Sequence, residues 1–199
     1  MNKPVIYLDF DSTLVNSTRR LTEILNDIYS TNVDWKDIKE YNCQDQFKTV
    51  TVDEIEAIFD REDFFQGLEV FDNAFQVMKM YEDVFDWRIV TIGTSTNLRN
   101  KQRWCQQNIP IKFVFHGIEQ KGMGKACVDM SGGIIIDDHI DNIRSSNADY
   151  KLLYRGGIPT EWNTQLPTET FIEVNGWNTL HYILYVLERK YNEKNSNSY

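Results

Sequence analysis

The chain has 199 residues, 41% hydrophobic and 13% aromatic, enough to bury a sizeable core in one domain with an insertion and too apolar for disorder. Its 30 acidic and 21 basic residues leave a formal charge of −9. That field repels polyanions and argues against long nucleic acid as a partner, while a small phosphate ester beside a local cation stays allowed.

Cys43, Cys105 and Cys127 are far apart and form no C-x-x-C pair, which fits thiols packed as small apolar groups in a reduced, cytoplasmic setting. The apolar stretch before Asp9 is too short for a signal-peptide core or a membrane span.

Short apolar runs at Val5 to Leu8, Arg88 to Ile92, Lys112 to Phe115, Gly133 to Ile136, Lys151 to Tyr154 and Phe171 to Val174 read as strands alternating with helices. This pattern predicts an α/β fold with a parallel sheet, the first four strands covered on both faces. Leu21, Ile24, Leu25 and Ile28 make a helical stripe, and Thr51 with Glu54 forms a capping box before Ile55, Ile58 and Phe59. Ala74, Val77, Met78 and Tyr81 mark another helix, Asn97 can cap the one between Thr94 and Lys112, and Leu180, Ile183, Leu184 and Leu187 mark the last. The interval 15–86 is far longer than the dozen or so residues a crossover helix needs, which predicts an inserted lid. The expected organisation is a core of residues 1–14 and 87–191, a helical cap over 15–86, and a frayed polar tail over 192–199.

The chemistry concentrates at strand ends. Asp9 and Asp11, one residue apart after the first run, can reach one centre where a strand gives way to a loop, although Asp and Ser also suit an ordinary turn. The adjacent Asp137 and Asp138 repel one another unless a hard cation such as Mg²⁺ or a donor compensates. Thr91 and Thr94 flank Gly93 at the same expected edge and can bind phosphate oxygens, as plain strand residues also would. Lys125 can neutralise a phosphate, with Lys121 as its competitor.

Asp9-Phe10-Asp11-Ser12-Thr13, a later threonine, a lysine and a closing acid pair, in that order, resemble the haloacid dehalogenase superfamily of phosphatases. Phe64-Phe65-Gln66-Gly67-Leu68-Glu69 and Ile136-Asp137-Asp138-His139 are similar to runs in its 5′(3′)-deoxyribonucleotidase group, with His139 where that group carries arginine. The resemblance implies a Rossmann-like three-layer core with an inserted cap and an Mg²⁺-dependent phosphomonoesterase acting on small nucleotides. It implies Asp9 as nucleophile and Asp11 as acid and base. Thr91, favoured over Thr94, and Lys125 would bind the phosphate. Asp9, the Asp11 carbonyl and Asp137 would hold the metal, with Asp138 beside them.

Trp35, Phe47, Phe64 and Phe65 are aromatic candidates for a base or sugar pocket and equally for cap core, and Arg61 could reach an anionic group. A sugar phosphate, a phosphorylated polynucleotide end, or a non-catalytic phospholigand-binding module are the competing readings. A homodimer is left open.

Overall fold

In the computed structural model, which describes residues 3–119, 124–156, 158–164 and 171–196, the apolar runs assemble into one parallel sheet. Its strands β1 (Val5–Leu8), β2 (Asp86–Ile92), β3 (Val114–Ile118), β4 (Ile134–Asp137), β5 (Tyr150–Tyr154) and β6 (Ile172–Val174) lie in the order β3-β2-β1-β4-β5-β6. The period of two sorts the side chains. Ile6, Leu8, Ile89, Ile134, Ile136 and Leu152 pack into one cluster, and Tyr7, Val90, Ile135 and Leu153 into the cluster behind the sheet.

Helices α1 (Ser17–Tyr29), α2 (Val52–Phe59), α3 (Glu62–Gln66) and α4 (Ala74–Met80) occupy the interval between β1 and β2. They are followed by α5 (Ser95–Asn108), α6 (Ile140–Ser145) and α7 (Trp177–Ser196). Trp104 of α5 and Leu180, Leu184 and Leu187 of α7 cover one face of the sheet, and Ile140 and Ile143 of α6 cover the other. The result is a three-layer α/β architecture. Among the described residues no helix is long and apolar enough to cross a membrane.

The chain runs outward from β1 through β2 to β3, and outward from β4 through β5 to β6, so strand order reverses between β1 and β4. The carboxyl ends of two adjacent parallel strands diverge at such a switch point and leave a crevice. Asp9 follows β1 and Asp137 ends β4, and the Asp9 N–H donates to the Ile136 carbonyl at 2.9 Å. Both acid motifs therefore meet at the crevice.

Several sequence expectations need correction. β3 is not covered on both faces: it is the sheet edge and starts at Val114, which is 46% exposed. Composition cannot report a strand's place in the sheet order. Asn97 does not cap α5; Thr94 does, its hydroxyl accepting from the Asn97 N–H. Ile28, at the end of the α1 stripe, is exposed. Residues 192–196 continue α7, since nothing in Asn192 to Ser196 breaks a helix. Cys127 is exposed while Cys43 and Cys105 are buried.

The capping box at Thr51 forms as expected, with Glu54 N–H on the Thr51 hydroxyl at 3.2 Å and Thr51 N–H on the Glu54 carboxylate at 2.8 Å. The interval's two ends are stitched together. Val15 bridges Val70, Asn16 N–H donates to the Glu69 carbonyl at 2.8 Å, and Phe71 N–H donates to the Leu14 carbonyl at 3.1 Å. Beyond this stitch, α4 packs on α7, where Tyr81 hydrogen-bonds His181 and Asn73 donates to Asn178.

Candidate active site

The loop after β1 turns back on itself at once. Leu14 and Val15 N–H groups both donate to the Phe10 carbonyl at 3.1 Å, and Ser12 adopts the left-handed conformation at φ 52°, an uncommon state for a residue with a Cβ. The Ser12 N–H is held by the Ser17 hydroxyl at 3.0 Å, so the first turn of α1 locks the loop. Trp177 donates its indole N–H to the Thr13 carbonyl at 3.0 Å from the far helix. The consequence is a fixed orientation for Asp9 and Asp11.

Asp9, Asp137 and Asp138 are buried and each offers a carboxylate oxygen within 4.8 Å of the others. Lys125, itself 1% exposed, pairs with Asp9 and reaches Asp137 at 2.6 Å. The other Asp137 oxygen accepts from His139 N–H at 2.8 Å and from Asn142 at 3.1 Å. Asp138 accepts from the Trp162 indole at 2.7 Å and from Thr13 at 3.4 Å. Burial pushes the Asp9 carboxyl up to about 7, with Lys125 opposing the shift and Asp137 and Asp11 adding to it. Asp138 is also raised well above the usual carboxylate range, by burial first and then by Asp9 and Asp137. Burial alone would lower Lys125, but the Asp137 and Asp9 charges overcome it and hold the ammonium charged. Three buried carboxylates facing one cation leave an excess of negative charge, which is the donor set a hard divalent ion fits.

The acids floor a cavity of about 410 Å³. Asp9, Asp11, Thr91, Thr94, Lys125 and Asp138 line it from the sheet side. Leu21, Ile38, Glu40, Tyr41, Glu56, Phe59 and Asp60 line it from the interval 15–86, and His139, Asn142 and Trp162 close the third side. Both threonines reach the cavity. Thr91 is the penultimate residue of β2, its hydroxyl accepting from Lys101 at 2.9 Å, and Thr94 donates to the Asp60 carboxylate at 2.5 Å.

Gly93 lies between the threonines, where a Cβ would come within 2.3 Å of the Asn97 side-chain oxygen. That close approach frees Asn97 to donate to the Phe59 carbonyl at 2.7 Å, and Asn100 reaches the Asp60 carbonyl at 3.1 Å. One face of α5 thus clasps the end of α2.

The aromatic candidates fare differently. Phe64 and Phe65 do not line the cavity: both are buried, Phe64 stacked edge-on against Phe59 at 4.9 Å and against Phe65 at 5.4 Å. Phe47 is likewise buried core. Trp35 lines an adjoining recess with Phe71 and Ile158 rather than the cavity. Arg61 pairs with Asp63 on the outside. A string of apolar rings at helical spacing gives no sign of which one turns outward.

Phe59, Tyr41 and Trp162 are the aromatic residues that line the cavity, Tyr41 meeting Trp162 edge-on at 6.2 Å. Lys101 was also missed, although a lysine on the same helical stripe as Leu98, Trp104 and Cys105 was a readable signal. Lys121 falls outside the described residues.

The family model described as 5′ nucleotidase, deoxy (pyrimidine), cytosolic type C protein matches residues 3–188. A 5′(3′)-deoxyribonucleotidase of Clostridium acetobutylicum is 26% identical over 145 residues, covering 73% of this chain and 78% of that protein. Among solved structures, a haloacid dehalogenase-like family hydrolase from Streptococcus pneumoniae superposes with a TM-score of 0.61 at 16% identity, over 91% of this chain and 98% of that one. The HAD-hydrolase YfnB from Bacillus subtilis, solved bound to magnesium, gives 0.58 at 14% identity over 92% and 99%. The fold is therefore that of the haloacid dehalogenase hydrolases.

Proposed function

Because the chain belongs to the 5′ nucleotidase, deoxy (pyrimidine), cytosolic type C family and is thus a phosphoric monoester hydrolase of 5′-nucleotidase type, we propose that it dephosphorylates small nucleotides, 5′(3′)-deoxyribonucleoside monophosphates foremost, through an aspartyl phosphate on Asp9. The observation that carries the mechanism is Asp9 itself. It is a buried carboxylate paired with Lys125 at the floor of a cavity of about 410 Å³.

An Asp9 oxygen attacks phosphorus, and the ester P–O bond breaks with its electron pair passing to the departing oxygen, which takes a proton from Asp11. Asp11 then accepts a proton from water whose oxygen bonds to phosphorus, and the bond to Asp9 breaks to restore the carboxylate. Lys125 offsets charge on Asp9 and on the phosphoryl group. Thr91, Thr94 and the amides at the start of α5 are suited to the phosphate oxygens, since a helix N-terminus favours an anion.

Asp9, Asp137 and the Asp11 backbone carbonyl would hold Mg²⁺, with Asp138 oriented beside them by Trp162. The ion, when bound, would neutralise charge so that an anionic oxygen can approach an anionic phosphate. We take the lid as the part of interval 15–86 up to the stitch at Glu69–Phe71, with α4 belonging to the core layer. Phe59, Tyr41 and Trp162 would wall the base and sugar.

The test is phosphate release from deoxy- and ribonucleoside monophosphates, sugar phosphates and a 3′-phosphorylated oligonucleotide, with Mg²⁺ and with chelator. Metal-dependent preference for deoxynucleotides is expected. Activity on sugar phosphates alone would keep the mechanism and overturn the substrate, and activity confined to the oligonucleotide would do the same.

A further inference from the structure

Lys101 of α5 is 2% exposed, one of the largest fully enclosed side chains in the protein, and the mechanism above does not use it. A lysine is almost never so buried unless its charge is paired. Its ammonium has three protons and each has an acceptor: the Asp11 carboxylate, the Thr91 hydroxyl at 2.9 Å and the Ile92 carbonyl at 3.0 Å. The Phe10 ring lies 5.7 Å from the nitrogen. Nothing else in the described structure fixes Asp11 so closely. Its Oδ2 takes the ammonium, its Oδ1 is buried with no hydrogen-bond partner in the described structure, and the residue lines the cavity.

We propose that Lys101 is the positioning residue for Asp11, gripping the carboxyl through Oδ2 so that it stays turned to the leaving group and later to water. This rests on the reading of Asp11 as acid and base. With the carboxyl held by the ammonium, the proton that Asp11 carries stays within reach of the departing oxygen, which takes it as the P–O bond breaks. A carboxyl free to rotate would spend part of its time with that proton turned away, and a general acid works only within hydrogen-bond reach. The same ammonium holds Thr91 at the end of β2, so the acid and a candidate phosphate-binding hydroxyl share one anchor.

The role can be read from the leaving group. A nucleoside alkoxide needs a proton as it departs, whereas 4-nitrophenolate leaves readily without one. In single-turnover reactions with enzyme in excess and Mg²⁺ present, Lys101→Met is expected to slow nucleoside release from a deoxynucleoside monophosphate by about 10²-fold or more, within the usual contribution of general acid catalysis. Release of 4-nitrophenol from its phosphate should slow by less than about tenfold.

Asp11→Asn should show the same asymmetry, and Asp11→Asn combined with Lys101→Met should be no slower than Asp11→Asn alone, because residues acting as one unit are not additive. Lys101→Arg keeps the charge and guards against a folding defect in Lys101→Met. It should fold and retain the asymmetry with a smaller loss. Equal slowing of both leaving groups by either lysine variant, or an additive double variant, would overturn the positioning role. So would a Lys101→Met enzyme as fast as wild type on the nucleotide while Asp11→Asn is impaired. If Asp11→Asn itself hydrolyses the nucleotide at the wild-type rate, the reading beneath the inference fails instead.

Discussion

The floor of the cavity and its lid are built by different physics. The floor is charge held in place: Asp9, Asp137 and Asp138 are buried, and Lys125 and Trp162 each hold a carboxylate within 2.7 Å or less. The lid wall is shape: Ile38, Tyr41 and Phe59 come from separate turns and helices and turn apolar or aromatic surface to the cavity. A floor residue is specified by a partner at a named atom and tolerates no substitute, whereas a wall residue is specified by volume and direction. Under the proposed function, chemistry belongs to the first region and substrate choice to the second.

That difference is testable in order of size. Asp9→Asn should lower turnover by about 10⁴-fold or more on every substrate while the fold survives, a loss of the size seen when a covalent nucleophile is removed. Turnover near the wild-type level would sever the floor from the chemistry.

Two phenylalanines in contact give the sharpest contrast within the lid. Phe64→Ala should cost about 3–5 kcal/mol of stability in urea unfolding, because a fully buried ring leaves a cavity. It should leave the ratio of nucleotide KM to aryl phosphate KM unchanged. Phe59→Ala should raise nucleotide KM roughly tenfold and aryl phosphate KM little, the worth of one stacked base. If the two exchanged roles, the assignment of the wall would be wrong.

Trp162→Phe keeps the ring and removes the indole N–H on Asp138, so Mg²⁺ affinity measured by titration should fall about 10–100-fold, the usual range for a group that orients a metal ligand. An unchanged affinity would show that Asp138 takes no part in metal binding.

The smallest effect is in stability against pH. Asp9 titrates near 7 in the folded chain and Asp138 is also raised, against about 4 for an unfolded aspartate. Between those values the folded state binds more protons than the unfolded one, so without metal these groups cost stability as pH rises through that window. In chelator the melting temperature should be lower at pH 8 than at pH 5.5 by a few degrees, and Mg²⁺ should raise it more at pH 8. An equal metal shift at both pH values would contradict the buried-carboxylate description of the floor.

The same contrast governs what could be read before the fold was known. Asp9, Asp11, Asp137 and Asp138 were legible because each pair is local in sequence and sits at the end of an apolar run, where a parallel sheet gathers ligand groups. Lys125 was legible by its order relative to them. The interval 15–86 was legible by length alone, and its capping box by spacing.

The wall was not legible, because turning Phe59 outward and Phe64 inward depends on how α2 and α3 meet, and periodicity assigns both to an apolar face. Tyr41 and Trp162 meet from positions over a hundred residues apart, on turns with no pattern to link them. Asp60 had no signal either, since its partners on α5 come into view only when the chain closes. Lys101 lay between these cases. A cation on a buried stripe asks for an acceptor, and in this fold the acceptor is Asp11.

The most direct measurement is rapid-quench mass spectrometry of the enzyme turning over a deoxynucleoside monophosphate with Mg²⁺, mapping any phosphoryl group by peptide. A transient, hydroxylamine-sensitive phosphoryl group on Asp9, formed as nucleoside is released and lost as phosphate appears, is the expected result. Nucleoside and phosphate released together with no phosphorylated peptide in the wild-type enzyme, or a phosphoryl group on another residue, would contradict it.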